Sequence, residues 1–277
     1  LHAQGTGSHM AEQIAIGLMS GTSMDGIDVA LLSTDGEDLV TRGPSMFYSY
    51  RSDMRAMIER GLTAALDMKD ASQRPGILAD LERRITEEHC QAVLVFLEQC
   101  KMRMRHVDVI GLHGQTVLHR PKSRLTVQLG DGPLMAQMCR KPVVYDFRTA
   151  DVLAGGEGAP LVPAYHRALS ATIGERPLAI VNIGGIGNVT YIAPDDSIMA
   201  FDTGPGNAVI DDWTKRHTGR FMDRDGYLAS KGETDMSVLM QMLTHPYFDE
   251  APPKRLDRND FKLDPVMKLD LNNGART

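Results

Sequence analysis

Between Met19 and Leu32 the chain reads MSGTSMDGIDVALL, two hydrophobic runs that meet at a turn of glycines, hydroxyls and carboxylates. Gly21 and Gly26 let the backbone bend where a side chain would obstruct. N–H groups freed by such a bend, with the hydroxyls of Ser20, Thr22 and Ser23, can donate to phosphate oxygens, while Asp25 or Asp28 can hold a hydrated magnesium ion. An ordinary hairpin uses the same residue types, so this turn alone leaves both readings open. A second turn, NIGGIGN from Asn182 to Asn188, exposes backbone donors at Gly184, Gly185 and Gly187, with Asn188 beside them. Alone, it reads more simply as a glycine-supplied hairpin. As a pair, the two turns suit a grip on the β- and γ-phosphates of a nucleotide. Phosphoryl transfer asks a protein mainly for positioning and charge stabilisation.

Three further segments carry polar groups in chemically useful company. FDTGPGN, from Phe201 to Asn207, places Asp202 at the expected end of a strand, an edge where ligands of α/β folds collect. A carboxylate there can take a proton from a hydroxyl or a water, or cap the helix that follows. GLHGQTVLHRP, from Gly111 to Pro121, groups His113, Gln115, Thr116, His119 and Arg120 in what reads as a donor-rich loop suited to sugar hydroxyls and a carboxylate. His113 and His119 do not have the spacing of a zinc pair. DFRTAD, from Asp146 to Asp151, sets Arg148 between two carboxylates, either to clamp a substrate carboxylate or to pair with Asp146 or Asp151.

The elements that position these groups follow from periodicity. Ile14–Leu18 and Ile27–Leu32 read as paired strands, and residues 52–68 and 76–103 as helices. Strands are expected at Val107–Leu112, Leu125–Leu129 and Pro142–Tyr145, with a short helix over Pro133–Met138 started by Asp131. The run AGGEGAP breaks all periodicity around Gly155–Pro160 and is the expected hinge. Beyond it, strands are expected at Leu178–Asn182, Asn188–Ile192 and Ile198–Phe201, and helices over Ala208–Arg216 and Met236–Leu243. His89 falls on the apolar stripe of Leu78, Leu81, Ile85, Ala92 and Phe96 and reads as a core histidine. The charged, proline-containing stretch after Leu243 shows no organising pattern.

Bulk properties bound the function. With 277 residues, 42% of them hydrophobic, the chain can bury one or two cores. A net charge of -6 provides no basic field for nucleic acid, so an anionic ligand must be met by a local cradle. No run has the length of a membrane span and no signal peptide is read, and the three cysteines suggest neither a disulfide framework nor a zinc site. A cytoplasmic protein is expected. The first nine residues, LHAQGTGSH, read as expression tag, with Met10 as the native start. A domain over residues 10–150 and a second over 151–277 are expected.

Taken together, MSGTSMDGID, HGQTVLHRP, QLGDG, DFRTADVLAGGEGAPLVP, NIGGIGN and FDTGPGN resemble the anhydro-N-acetylmuramic acid kinase family, within the sugar kinase, chaperone ATPase and actin superfamily. The motifs stand in the family's order from Ile14 to Asp212. The resemblance implies a two-lobed α/β fold of the actin-like ATPase kind, with a mixed sheet and helices in each lobe. It implies phosphorylation of 1,6-anhydro-N-acetylmuramic acid by ATP with Mg2+ while water opens the anhydro ring, yielding N-acetylmuramic acid 6-phosphate in peptidoglycan recycling. The family's general base corresponds to Asp202. Its phosphate segments correspond to Gly21, Thr22, Ser23, Asp25, Gly26 and Asp28, and to Gly184, Gly185, Gly187 and Asn188, with Asp28 as the expected metal contact. His113, Gln115, Thr116, Arg148 and Asp151 are expected on the sugar side, and a homodimer is the expected assembly.

The family's C-terminal G-G-G-x-x-N element, which seats adenosine, has no counterpart here, since Gly274 is the only glycine after Gly232. An incomplete second lobe is therefore expected. An alternative is a sugar-binding or regulatory module of the same lineage, and a third reading pairs Asp202 with another carboxylate as a plain glycosidase.

Overall fold

A computed structural model describes residues 11–21, 24–256 and 260–277. Thr22 and Ser23, expected in the first phosphate turn, lie outside the described residues. The chain forms two compact units, one ending at Ala171 and one running Thr172–Thr277.

In the first unit, β1 (Gln13–Ser20), β2 (Gly26–Thr34) and β3 (Val40–Ser49) form an antiparallel meander, followed by α1 (Ser52–Ala65) and α2 (Leu78–Gln99). Then come β4 (Val109–Arg120), β5 (Leu125–Leu129), α3 (Gly132–Cys139), β6 (Val143–Tyr145), α4 (Thr149–Leu153) and α5 (Pro163–Leu169). The sheet order is β3-β2-β1-β4-β5, with β6 also on β4. Pairing is mixed, because β4 runs parallel to β1 and β6 but antiparallel to β5.

Alternation decides which face is buried. Ile16 and Leu18 of β1 and Ile27 and Val29 of β2 point into one core, against which α2 lays Leu78, Leu81, Ile85, Ala92 and Phe96. His89 is fully buried on that stripe. The start of α2 is locked to the β5–α3 turn. Arg74 holds Glu82 through two bonds of 2.9 and 2.8 Å, Glu82 accepts from Gly130 N–H at 3.3 Å, and Thr86 Oγ1 accepts from Asp131 N–H at 2.9 Å. Asp131 in turn caps α3 by accepting from Leu134 N–H.

One expectation needs correcting here, and one strand is new. Residues 111–121 are not a loop: β4 runs on to Arg120, because the chain leaves β1 at a bulge near Ser20 and goes on pairing with β5. Gly114 permits the change, having a φ of +69° and a backbone so close to Leu129 that a Cβ would stand 2.2 Å from its carbonyl oxygen. The strand β3 was not anticipated, since Gly43 and Pro44 interrupt its pattern, as an edge strand tolerates.

The second unit holds an antiparallel sheet of β7 (Leu178–Ile183), β8 (Ile186–Ile192) and β9 (Ile198–Pro205), followed by α6 (Asn207–Thr218), α7 (Met236–Met242) and α8 (Leu271–Arg276). A small core gathers around Trp213, Val266 and Ala275, with Trp213 Nε1 donating to Leu271 O at 2.9 Å. Among the described residues no helix is long and apolar enough to cross a membrane.

Candidate functional site

The first turn is braced from three directions. Ser20 ends β1 with its hydroxyl buried, donating to Gln115 Oε1 at 2.5 Å and lying 3.0 Å from Tyr50 Oη. The amide of Gln115 donates onward to Gly21 O at 3.2 Å. On the other side, Tyr50 N–H donates to Asp25 O at 2.8 Å and Arg55 Nε to Met24 O at 3.0 Å. Burial pushes the Tyr50 phenol above its ordinary range, so it remains a neutral hydroxyl. Gln115, expected on the sugar side, thus acts as a strut of the turn.

Asp28 stands on β2 with its side chain exposed. Its carboxyl is raised above the usual value, first by partial desolvation and then by the negative charge of Asp25. Two like charges so placed are what a divalent cation relieves. Among the described residues no group of three or more His, Cys, Asp or Glu forms a metal cage. Asp28 and Asp25 are the carboxylates here that would meet such a cation.

The buried His113 pairs with the half-buried Arg148. His113 Nδ1 faces the carbonyl of Gly114 at 2.8 Å, so it carries the proton, and Nε2 accepts from Arg148 Nε at 3.1 Å and Nη2 at 2.8 Å. Burial first, then the guanidinium charge, lowers the His113 pKa, and the imidazole stays neutral. Arg148 also donates through Nη1 to Gly158 O, while Asp151 Oδ2 accepts from Gly158 N–H at 2.6 Å. Both residues therefore shape the AGGEGAP loop. Thr116 Oγ1 accepts from Gln128 Nε2 at 3.4 Å on the neighbouring strand. A cavity of about 750 Å3, enough for a sugar, has a mixed wall whose polar members include His113, Thr126, Gln128, Asp146 and Arg74; Gln115, Thr116, Arg148 and Asp151 do not line it.

The second turn, at Gly184 and Gly185, joins β7 to β8, and the start of α6 sits directly on it. Gly206 and Ala208 N–H groups donate to Gly185 O at 3.0 and 3.2 Å, and Asn207 N–H to Gly184 O at 2.7 Å. Three of the amides that a helix start normally leaves open are consumed by the hairpin. The fit requires glycine at 206, where a Cβ would lie 2.2 Å from Gly184 O. Gly187 and Asn188 belong to β8.

Asp202 does not end a strand as expected; β9 continues to Pro205 because β8 keeps pairing through Ile186, and Asp202 sits opposite Asn188. Its Oδ2 accepts from Leu256 N–H at 3.0 Å and its own N–H donates to Lys254 O at 3.0 Å. Tyr247 Oη donates to Asp202 O at 2.5 Å, and Lys254 Nζ donates to Tyr247 O at 2.7 Å while lying over the Tyr247 ring. Burial raises the Asp202 pKa, with the Leu256 N–H and the Arg255 charge opposing it. Tyr247 is pushed up to about 12 by burial and then by Asp202. The carboxylate is a partly desolvated base with one oxygen held and the backbone clamped.

Ser20 was expected to offer its hydroxyl to phosphate, but that hydroxyl is buried and engaged by Gln115 and Tyr50; Tyr50 and Arg55 around the first turn, and Tyr247, Lys254 and Leu256 around Asp202, carry no motif signal that periodicity could detect. The PPK run before Arg255 was the available hint, since two prolines stiffen a segment that must close over a strand.

A family model described as anhydro-N-acetylmuramic acid kinase matches residues 13–275. The chain is similar to proteins named anhydro-N-acetylmuramic acid kinase from three bacteria. It is 50% identical to that of Nitrobacter winogradskyi over 248 residues, covering 89% of this chain and 68% of the relative. For that of Rhodopseudomonas palustris the values are 51% over 250 residues, 89% and 68%. For that of Agrobacterium fabrum they are 47% over 266 residues, 95% and 71%.

Proposed function

The chain belongs to the anhydro-N-acetylmuramic acid kinase family, and from that premise we propose that it is an ATP-dependent carbohydrate kinase that converts 1,6-anhydro-N-acetylmuramic acid to N-acetylmuramic acid 6-phosphate, as a step of peptidoglycan recycling. The observation that carries the mechanism is the half-buried Asp202, its carboxylate shifted toward neutrality and anchored by Leu256 N–H. Asp202 takes a proton from a water as that water attacks the anomeric carbon. The C1–O6 bond breaks, and the freed O6 attacks the γ-phosphorus as the bond to the β-phosphate oxygen breaks, leaving ADP.

In this reading Gly21, Thr22, Ser23, Asp25 and Gly26, with Gly184, Gly185, Gly187 and Asn188, bind the nucleotide's phosphates. Asp28 would hold Mg2+, which when bound would supply positive charge to offset that of the phosphoryl oxygens. His113 meets the sugar from the cavity wall, and Thr116, Arg148 and Asp151 support that side by fixing β4 and the AGGEGAP loop. The protein works in the cytoplasm as a homodimer.

The test is turnover of the anhydro sugar with ATP in 18O-labelled water. The label is expected at the anomeric hydroxyl and absent from the phosphate, with no product when ATP is withheld. Ring opening that is indifferent to ATP would replace the kinase with a hydrolase.

A further inference from the structure

Cys90 and Cys139 are separated by 49 positions yet their sulfurs lie 3.8 Å apart. One is carried by α2 and the other ends α3, so the contact is made by two helices already locked together at the Glu82, Thr86 and Asp131 bonds. Both thiols are free and buried, whereas Cys100, the remaining cysteine, is only partly buried. The pair opens onto a cavity of about 480 Å3 whose wall also carries Arg105, Arg140, Lys141 and Met138. Catalysis as derived above uses none of these groups.

We propose that Cys90 and Cys139 form a modification site for small hydroperoxides, which enter the adjoining cationic cavity and convert the two thiols to a disulfide linking α2 to α3. The sulfur separation has to close from 3.8 Å to the roughly 2.05 Å of a bond. The first step is attack of the Cys139 thiolate on a peroxide oxygen; the O–O bond breaks, an alcohol or water leaves with a proton, and Cys139 becomes a sulfenic acid. Cys90 sulfur then attacks the sulfenic sulfur, and hydroxide departs and takes up the Cys90 proton as water. Two thiols and one hydroperoxide yield one disulfide, one alcohol or water, and one further water; the sulfurs lose two electrons and the peroxide gains them.

The surroundings favour this order. Cys139 ends α3, where the helix dipole alone opposes a thiolate. The hydrogen bond between the sulfurs acts the other way: Cys139 is lowered by its bond to Cys90, against the opposing effect of burial, and Cys90 is pushed up. One thiolate attacks and one protonated partner resolves. In a reducing compartment the disulfide would be transient, as such bonds are when they report on oxidant.

The test treats the full chain with hydrogen peroxide at stoichiometric concentration, alkylates it, and maps peptides without reduction. The expected result is a single Cys90–Cys139 linkage, Cys100 carrying the alkyl group, and reversal by dithiothreitol. The oxidised protein is expected to melt on the order of 5–10 °C higher, the effect of closing a long loop. In Cys90→Ser the Cys139 sulfenic acid should be trapped by dimedone, with no melting shift; Cys90→Ala serves the same reading if the serine variant folds poorly. A linkage through Cys100, or sulfonic acid at Cys139 with Cys90 still alkylated in the folded wild type, overturns the proposal.

Discussion

The hydroxyl of Ser20 donates to Gln115 Oε1 at 2.5 Å, and this one contact ties the end of β1 to a strand that is almost a hundred residues further along the chain. Gln115 then passes the constraint to Gly21 O, the first carbonyl of the turn that follows β1. Neither side chain reaches solvent. Gln115→Ala leaves the Ser20 hydroxyl and the Gly21 carbonyl short of a partner, and the expected loss of stability is about 1–3 kcal/mol. Loosening the turn should also lower kcat/KM for ATP by about 10- to 100-fold. A double-mutant cycle with Ser20→Ala measures the shared contact: strong non-additivity in urea melts is expected, and simple additivity would mean the strut does not couple the two strands.

His89 supplies a pH dependence of stability. Its Nδ1 donates to Ile85 O at 2.8 Å, its Nε2 is buried without a partner, and burial pushes its pKa down to about 4. The folded value lies below the unfolded value of 6.5. Below that value the unfolded chain takes up a proton that the native state refuses, so stability falls as pH drops from 6.5 toward about 4 and is level above 6.5. The slope is about 1.4 kcal/mol per pH unit, or about 3 kcal/mol over the window. His113, also lowered by burial and by Arg148, acts in the same sense. His89→Leu should keep neutral-pH stability and flatten the acid limb when urea midpoints are compared at neutral pH and in acid. An unchanged limb would mean that His89 accepts a proton in the folded state.

Gly206 fixes the junction between the second turn and α6. A Cβ there meets Gly184 O at 2.2 Å and Gly187 N at 3.2 Å, both backbone atoms that cannot rotate away. Gly206→Ala is expected to cost about 2–3 kcal/mol, since relief means parting the hairpin from the helix start. Gly185→Ala is the control. Its Cβ would find only Ala208 Cβ at 3.6 Å, an ordinary contact, and stability should change by no more than about 0.5 kcal/mol. Equal losses in thermal melts would refute the steric account.

What could be read from sequence follows the range of the interactions. The hairpins around Gly21 and Gly184, the stripe of α2 with His89, and the Asp131 cap are local patterns, and each is found where periodicity and turn chemistry put it. The continuation of β4 through His113 and Gln115 was not legible, because it depends on a strand, β5, arriving from beyond Arg120 and on the close approach at Gly114. The same holds at Asp202. The residue could be singled out from FDTGPGN, but its surroundings come from Tyr247, Lys254 and Leu256, some fifty positions away in a stretch without periodicity.

Asp202 gives the most direct test of the chemistry. Asp202→Asn retains an oxygen that can accept from Leu256 N–H, so the β9 geometry and sugar affinity should persist while the base is lost. Formation of the 6-phosphate should fall by about 100- to 10,000-fold, the range for removing a general base. The base works only when ionised, so kcat should decline as pH falls through the Asp202 pKa, and that limb should lie above 3.8 because burial raises the group. Arg255 pulls the pKa down by its charge. Arg255→Gln should therefore move the acid limb to higher pH while leaving the rate on the alkaline plateau nearly unchanged, a response that a residue of purely structural importance would not produce. Wild-type turnover in Asp202→Asn would assign the proton transfer elsewhere. A limb that stays in place in Arg255→Gln would show that the group titrating in catalysis is not the carboxylate held by Leu256.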